Sequence, residues 1–331
     1  MLVFWLKKEP PLLGALMSNH YSCIEDAALD ACRECGLEPP KFFKRDVFQV
    51  VDVVDGKPRN GAGRVKVFAD GQGGIVQNWR TGEKRSFFLN NSNTQAGGLS
   101  DQERQEIENA RRKREAAEVV KHDQAAGRAL QIWQAAKPAA NDHPYLRKKQ
   151  IKPHHARVSQ WRRFVDIDGE RKPIVIDNAL LIPLFDASGN IRNLQAIFPE
   201  KHPLLNRDKD FLAGGALAGL FGWIGKRTDT VIICEGFATA ATLYEQSANR
   251  TYMAFTAGSL LAVAKTVREK LPKAKIILAA DNDTRTKDNV GLTKATEAAL
   301  AVGGLVAVPP IPDADFNDYA YFLNGGDCYA R

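Results

Sequence analysis

Glu235 and Asp281 each follow directly on an apolar run, in VIICEGFATAATL and in IILAADND, and Asp283 comes two residues after Asp281. Carboxylates that close strands of an alternating α/β sheet stand where such sheets bind ligands, beyond the carboxyl ends of the strands. Asp281 and Asp283 flank Asn282 and can share a hard divalent cation, and oxygen donors of this kind point to magnesium or manganese. The later stretch DADFNDYA adds Asp313, Asp315 and Asp318 as further candidate ligands. Acids holding magnesium clamp the attacking and leaving oxygens in phosphoryl or nucleotidyl transfer. Gly236 after Glu235 is expected to let the chain turn sharply into the next helix and to leave room for a large ligand. Each piece has a plainer explanation: a DxD after a strand is often a turn with capping acids, and Glu-Gly is often an exposed loop. Their succession within one alternating domain favours a metal site.

The elements that must position these acids are legible from Thr228 onward. TVIICEG, TYMAFTA, AKIILAAD and GLVAVPP read as strands, separated by helices in FATAATLYEQ, SLLAVAKTVREKL and VGLTKATEAALAVG. Such βαβα units build a parallel sheet with helices on its faces. Ahead of them, Ser22 and Glu25 form a capping box for a helix to about Leu37, ended by Pro39-Pro40. FQVVDVV, RVKVFAD and GIVQNW between Phe48 and Phe88 are strands joined by turn-forming DGKPRNGAG, DGQGG and RTGEKR. NNSNTQAGG is a polar linker, and Ser100 with Glu103 caps a charged helical stretch, one helix or two, reaching about Ala136. ALLIPLFDASGNIRNLQAIF is a hairpin turning at residues 187–190, and FLAGGALAGLFGW is a glycine-rich strand and loop. The expected organisation is an N-terminal helix with a small β-rich module (1–92), a helical connector (100–137), a basic mixed α+β subdomain (138–227) and the α/β domain that carries the acids (228–323).

With 331 residues, 44% of them hydrophobic, the chain can bury several cores, and it has no run of about eighteen apolar residues to cross a membrane as a helix. The hydrophobic opening lacks a basic region ahead of it and is broken by Pro10-Pro11, so a cytoplasmic protein is expected, with Met17 a second candidate start. Five scattered cysteines argue against a disulfide framework, and Cys32-x-x-Cys35 reads as a helical face in preference to a zinc site. Residues 1–228 carry 36 Lys or Arg against 27 Asp or Glu, whereas residues 229–320 carry 9 against 11. A basic front and a slightly acidic back suit an enzyme that handles a polyanion through bound cations. Residues 143–163 hold Arg147, Lys148, Lys149, Lys152, Arg157, Arg162 and Arg163 without one acid, interleaved with Tyr145, His154, His155 and Trp161. That mixture suits phosphate contact with stacking on unpaired bases, the alternative being a plain basic surface. The RRKR run at 111–114 reads as a solvated helical face.

Glu235-Gly236, Asp281-Asn282-Asp283 and Asp315-Phe316-Asn317-Asp318 together resemble the Toprim domain of DnaG-type primases, topoisomerases, OLD-type nucleases and RecR-type repair proteins. EGFATAATL, TAGSLLAVAKTVREKLP, AADND and DFNDYA look more narrowly like the Toprim primases of conjugative plasmids, integrative elements and satellite phages. IVQNWRTGE, IWQAAKP, DHPYLRKKQI and LLIPLFDASGNIRNLQAIFP with FLAGG extend that resemblance back to about Phe48. It implies a DNA primase that makes RNA primers on single-stranded DNA from ribonucleoside triphosphates, with Asp281, Asp283 and Asp315 or Asp318 on the metal. Glu235 would be the proton acceptor or a further ligand. It also implies nucleotide contacts by Arg192, Asn193, Gln195, Arg207 and Lys209, and template contacts by Arg147, Lys148, Lys149, Arg162 and Arg163. The chain departs from the pattern at Thr239, where DnaG-type enzymes carry another acid, and at Asp210, where many relatives place a base. No paired-cysteine zinc ribbon precedes the domain, so the β-rich unit would take its template-binding place. No GxxxxGK[ST] loop occurs, so a helicase would act in trans. The alternatives are a Toprim nuclease and a non-catalytic nucleic-acid-binding accessory protein.

Overall fold

Hydrophobic patterning this varied along one chain calls for more than one sheet, and three are found. The computed structural model describes residues 21–56, 60–89, 101–167, 169–285 and 289–326. The second candidate start, the NNSNTQAGG linker, the Ser100 cap and Cys328 lie outside the described residues. Residues 1–106 and 107–331 form two compact units, so the three segments expected after residue 100 largely share one unit.

In the first unit, helix α1 (Ile24–Glu34) buries Ile24, Ala27, Ala28, Ala31 and Cys32, the stripe that a 3.6-residue period places on one side. The expected capping box is not formed: Cys23 is the N-cap, and the Ser22 hydroxyl donates to Asp26 at 2.7 Å. The chain leaves the helix at Gly36, with φ of +63°, before the prolines are reached. Cys32 and Cys35 are buried in this core, and burial followed by the neighbouring Cys35 pushes the Cys32 thiol up to about 12, an inert packing role. Strands β1 (Gln49–Val51), β2 (Gly63–Val67), β3 (Gly73–Asn78) and β4 (Lys84–Phe88) form an antiparallel meander in chain order. Strand β4 begins inside the segment expected to be only a turn, because the tight turn at Thr81-Gly82 lets Lys84 pair opposite Gln77.

The second unit contains the other two sheets, and the boundary between units falls within helix α2 (Asp101–Ala135), a single helix. Strands β5 (Lys137–Pro138), β6 (Arg157–Ile167), β7 (Glu170–Phe185), β8 (Ile191–His202) and β9 (Arg207–Phe211) make an antiparallel sheet in chain order, with the short helix α3 (Pro144–Lys149) between β5 and β6. Strand β6 is built from the most basic segment, which the sequence reading left without a strand. Trp161 and Tyr145, expected to offer stacking faces, are instead 2% and 5% exposed and belong to the core. For Trp161 the reason is a buried carboxylate. Asp210, 5% exposed, accepts the Trp161 indole N–H at 3.0 Å and pairs with Arg207 at 2.7 Å and Arg163 at 3.4 Å.

The remaining sheet has strands β10 (Gly222–Ile224), β11 (Thr230–Cys234), β12 (Arg250–Met253), β13 (Lys275–Ala279) and β14 (Leu305–Ala307), ordered β10-β12-β11-β13-β14. Strands β11 to β14 are parallel, as their alternation with helices α4 (Phe237–Ser247), α5 (Leu260–Lys270) and α6 (Val290–Val302) requires; β10 adds an antiparallel edge that the sequence reading did not foresee. Alternate strand residues serve two cores. Val231, Ile233, Ile276 and Leu278 pack with α5 and α6. Ile232, Cys234 and Ala279 pack with Phe237, Ala240 and Ala241 of α4 and with Leu180, Ile182 and Leu184 of β7. Helix α7 (Phe316–Leu323) lies against α4. The chain thus has the expected class: a parallel sheet flanked by helices, preceded by a mixed α+β portion and a small β-rich module. Among the described residues no helix is long and apolar enough to cross a membrane.

Removing one member of a buried ion cluster strands the others. Asp210→Ala is therefore expected to lower unfolding free energy by about 3–5 kcal/mol, read from urea denaturation, and unchanged stability would show that the cluster is not a structural centre.

Candidate carboxylate site at the sheet switch point

Strand β11 leads through α4 to β12 on one side, and α5 then carries the chain back across to β13 on the other. The winding reverses between β11 and β13, which opens a crevice beyond their carboxyl ends. Glu235 is the residue directly after β11, and Asp281 stands two residues beyond the end of β13.

The electrostatics of this crevice are those of like charges only partly compensated. The Asp281 carboxyl is pushed up to about 7 by burial, then by Asp315, Glu235 and Asp283, with Lys209 pulling it down. Glu235 is raised by burial and then by Asp283, against the opposing effects of Lys209 and the Ala257 N–H. Asp283 is raised by burial, Asp313 and Asp315. Asp281 Oδ1 is fully buried and has no hydrogen-bond partner among the described residues. An orphaned anionic oxygen among other carboxylates fits a cation, since a buried polar atom is otherwise partnered. Among the described residues no three acidic, histidine or cysteine side chains yet converge tightly enough to hold a metal ion between them.

Two loops carry these acids, and Asn282 fastens them together. Its side-chain amide donates to the carbonyls of Pro309 and Ile311, both at 3.1 Å, and accepts from Asn289 at 3.1 Å. Its backbone N–H donates to Ala314 at 3.1 Å, and its carbonyl accepts from Asp313 at 2.7 Å. Asn289 also accepts from the Asp283 N–H at 3.2 Å and caps α6 through Leu292 at 3.4 Å. Sequence reasoning passed over both asparagines, although Asn289 stands immediately before VGLTKATEAAL and is a plain N-cap signal.

The downstream acids divide into three roles. Asp315 caps α7 by accepting the Asp318 N–H at 2.8 Å and remains electrostatically part of the crevice. Asp318 pairs with Lys149 at 3.1 Å, so a candidate ligand and a candidate template contact engage each other. Asp313 accepts from Thr284 at 3.0 Å and pairs with Arg285 at 2.8 Å; although burial opposes it, these bonds hold its carboxyl below the usual range. Asn317, 3% exposed, donates to Lys149 O at 2.7 Å and to Thr242 at 2.9 Å, docking α7 onto its neighbours. Thr239 is buried on the first turn of α4. Gly236 has φ of −108°, a value any residue adopts, so the expected sharp turn does not need glycine. Apart from its chain neighbours, no atom of the described residues lies within 4 Å of where its Cβ would stand, so the expected open space is present.

Of the expected nucleotide contacts, Lys209 on β9 faces the acids, while its neighbour Asp210 turns to the other side of the strand, as a two-residue period demands. Arg207 pairs with Asp210, and Arg192 pairs with Asp123 of α2. Asn193 is fully buried, donating to Ala216 O at 2.7 Å, and Gln195 is 6% exposed between β7 and β9. Of the expected template contacts, Arg147, Lys148 and Arg162 are exposed, whereas Arg163 pairs with Asp210.

Residues 230–322 match the Toprim domain family. Two Escherichia coli proteins named DNA primase TraC are each 30% identical to this chain, over 197 and 230 residues, or 57% and 66% of it. The chain spans only 17% and 14% of their lengths. Among solved structures, the DnaG primase catalytic domain bound to single-stranded DNA is similar with a TM-score of 0.44 and 11% identity, covering 65% of this chain and 78% of that one. The primase fragment of the bacteriophage T7 primase-helicase protein gives 0.31 and 21%, covering 50% and 64%.

Two outcomes follow from the geometry. Between about pH 4, where unfolded Asp281 ionises, and about pH 7, the folded chain holds a proton that the unfolded chain has lost, so metal-free stability falls as pH rises through this window. Asp281→Asn should flatten that slope, leaving only the contributions of Glu235 and Asp283, and be more stable than the parent above pH 7, with the two converging near pH 4, as thermal melts in chelator will read. Asn282→Ala leaves two loop carbonyls without their donor and should cost about 1–3 kcal/mol in chemical denaturation.

Proposed function

On the premise that residues 230–322 are a Toprim domain, we propose that this chain is a DNA primase, joining ribonucleotides on single-stranded DNA by metal-dependent nucleotidyl transfer. The observation that carries this reading is the desolvated Asp281, with one oxygen unpartnered, crowded by Glu235, Asp283 and Asp315 at the switch point of the sheet.

In this reading Asp281, Asp283 and Asp315 hold magnesium or manganese, while Asp318 is spent on Lys149. A divalent cation there would neutralise developing charge on phosphate oxygens and fix their orientation. Glu235, whose proton affinity is raised by burial and by Asp283, accepts the proton of the 3′-hydroxyl of the initiating nucleotide. That hydroxyl oxygen bonds to the α-phosphorus of the incoming ribonucleoside triphosphate, and the bond to pyrophosphate breaks. Lys209, facing Glu235 and Asp281, offsets the charge of the triphosphate as it enters an acidic crevice. The space in front of Gly236 admits it. The exposed Arg147, Lys148 and Arg162 hold template phosphates. Arg163 and Arg207 act indirectly, by fixing β6 and β9 through Asp210. Arg192, Asn193 and Gln195 shape the β7–β8 side of the cleft, and Asn193 does so from inside the fold. A cytoplasmic role in mobile-element replication or transfer, with a helicase supplied by another chain, completes the proposal.

The test is primer synthesis by purified protein from ribonucleotides on single-stranded DNA with magnesium. Short RNA products are expected, falling about 100-fold or more in Asp281→Asn and in Asp283→Asn. Undiminished synthesis by Asp281→Asn would remove that residue from the reaction.

A further inference from the structure

A second cluster of like charges, of opposite sign, lies at the other end of the same sheet, with Asp229 beside Arg227 and Lys270 in an adjoining cavity. Arg250 opens β12, Lys270 closes α5, and Arg227 lies in the loop between β10 and β11. Parallel pairing sets Arg250 beside Val231, four residues before Glu235, so the cluster is about 13 Å down the strands from the acids. The three cations line a cavity of about 210 Å³, walled by Trp223, Tyr252 and the hairpin turn at 187–189, and no acid lines it. One water needs only about 10–15 Å³ of such space, so the cavity admits a phosphate with part of its sugar.

The state of Arg250 is the unusual feature. Its guanidinium lies over Trp223 and Tyr252, 5.1 and 5.0 Å from the ring centroids. Its Nε is fully buried without a hydrogen-bond partner, and its side chain makes no ion pair among the described residues. Arg227 Nη2 donates to Lys270 O at 3.3 Å, and Lys270 Nζ donates to Ala187 O, so each cation is anchored by one bond and keeps further donors. Burial, and then Arg227 after the opposing effect of Tyr252, disfavours the charged form of Arg250, the mirror image of the strain on Asp281. A guanidinium fork steered by aromatic faces, with a buried donor unmade and two cations beside it, is a receptor for a tetrahedral oxyanion.

We infer that Arg227, Arg250 and Lys270 form a phosphate-binding site separate from the carboxylate crevice, taking the phosphate of a free nucleotide or of a nucleic-acid strand. The inference does not rest on the proposed activity.

The experiment is calorimetric titration of the full chain in chelator, which silences any cation-dependent crevice, with ATP, with a short oligothymidylate and with inorganic phosphate. Saturable binding of ATP or of the oligonucleotide is expected, and whichever binds more tightly identifies the source of the phosphate. Affinity should fall roughly tenfold or more in Arg250→Gln and in the double variant Arg227→Gln/Lys270→Gln, and should be unchanged in Lys294→Gln, which removes a cation of α6 outside both sites. Arg227 and Lys270 are exposed, so the double variant tests the site without disturbing the core. Affinity equal to the parent's in both sets of variants, an equal loss in Lys294→Gln, or only a non-saturating response shared by all three anions would overturn the assignment.

Discussion

Repulsion between carboxylates that the fold holds together and partly dries is the constraint around which this chain is arranged. The crossover from β12 to β13 brings Glu235 and Asp281 to adjacent strand ends, and a pair of asparagines prevents the loops from relaxing apart. Among the described residues, only Lys209 and one backbone N–H oppose the crowding at Glu235. A fold that selects for stability alone would place amides or apolar groups here, and the retained cost is the physical signature of a site prepared for something positively charged.

Asp210 makes the contrast clear. It is more deeply buried than any acid of the crevice, yet Trp161, Arg163 and Arg207 satisfy it, and it organises the core of the antiparallel sheet. Burial of a carboxylate therefore does not distinguish function from architecture in this molecule; the presence or lack of partners does. Adjacent residues of β9 divide these two roles, Lys209 facing the crevice and Asp210 the core.

The crevice was legible in the sequence because strand-ending acids need only a run of apolar residues and a period to be placed, and β11 and β13 supply both. The alternation from Thr228 onward has the same origin. What was not legible depends on long-range pairing. Strand β10 joins β12 across residues that carry no alternating signal, and β4 starts within a turn-like sequence. The basic segment at 143–163 was misread in its aromatics because Trp161 is buried by a carboxylate 49 residues away, a contact that no local pattern announces. Asp318 and Lys149 were assigned to different ligands, yet 169 residues of separation bring them into one ion pair.

Asn282 has a topological consequence as well. By bonding to Pro309, Ile311 and Asp313, it brings together the two ends of a long excursion that contains α6 and β14. The acids sit at the neck of that excursion, on either side of a non-covalent clasp. Helix α6 packs into the core and β14 pairs with β13 within that excursion, so the clasp closes around a folded unit and not a slack loop. Asp281, Asp283 and Asp315 are thereby held at a neck fastened from both the loop side and the sheet side.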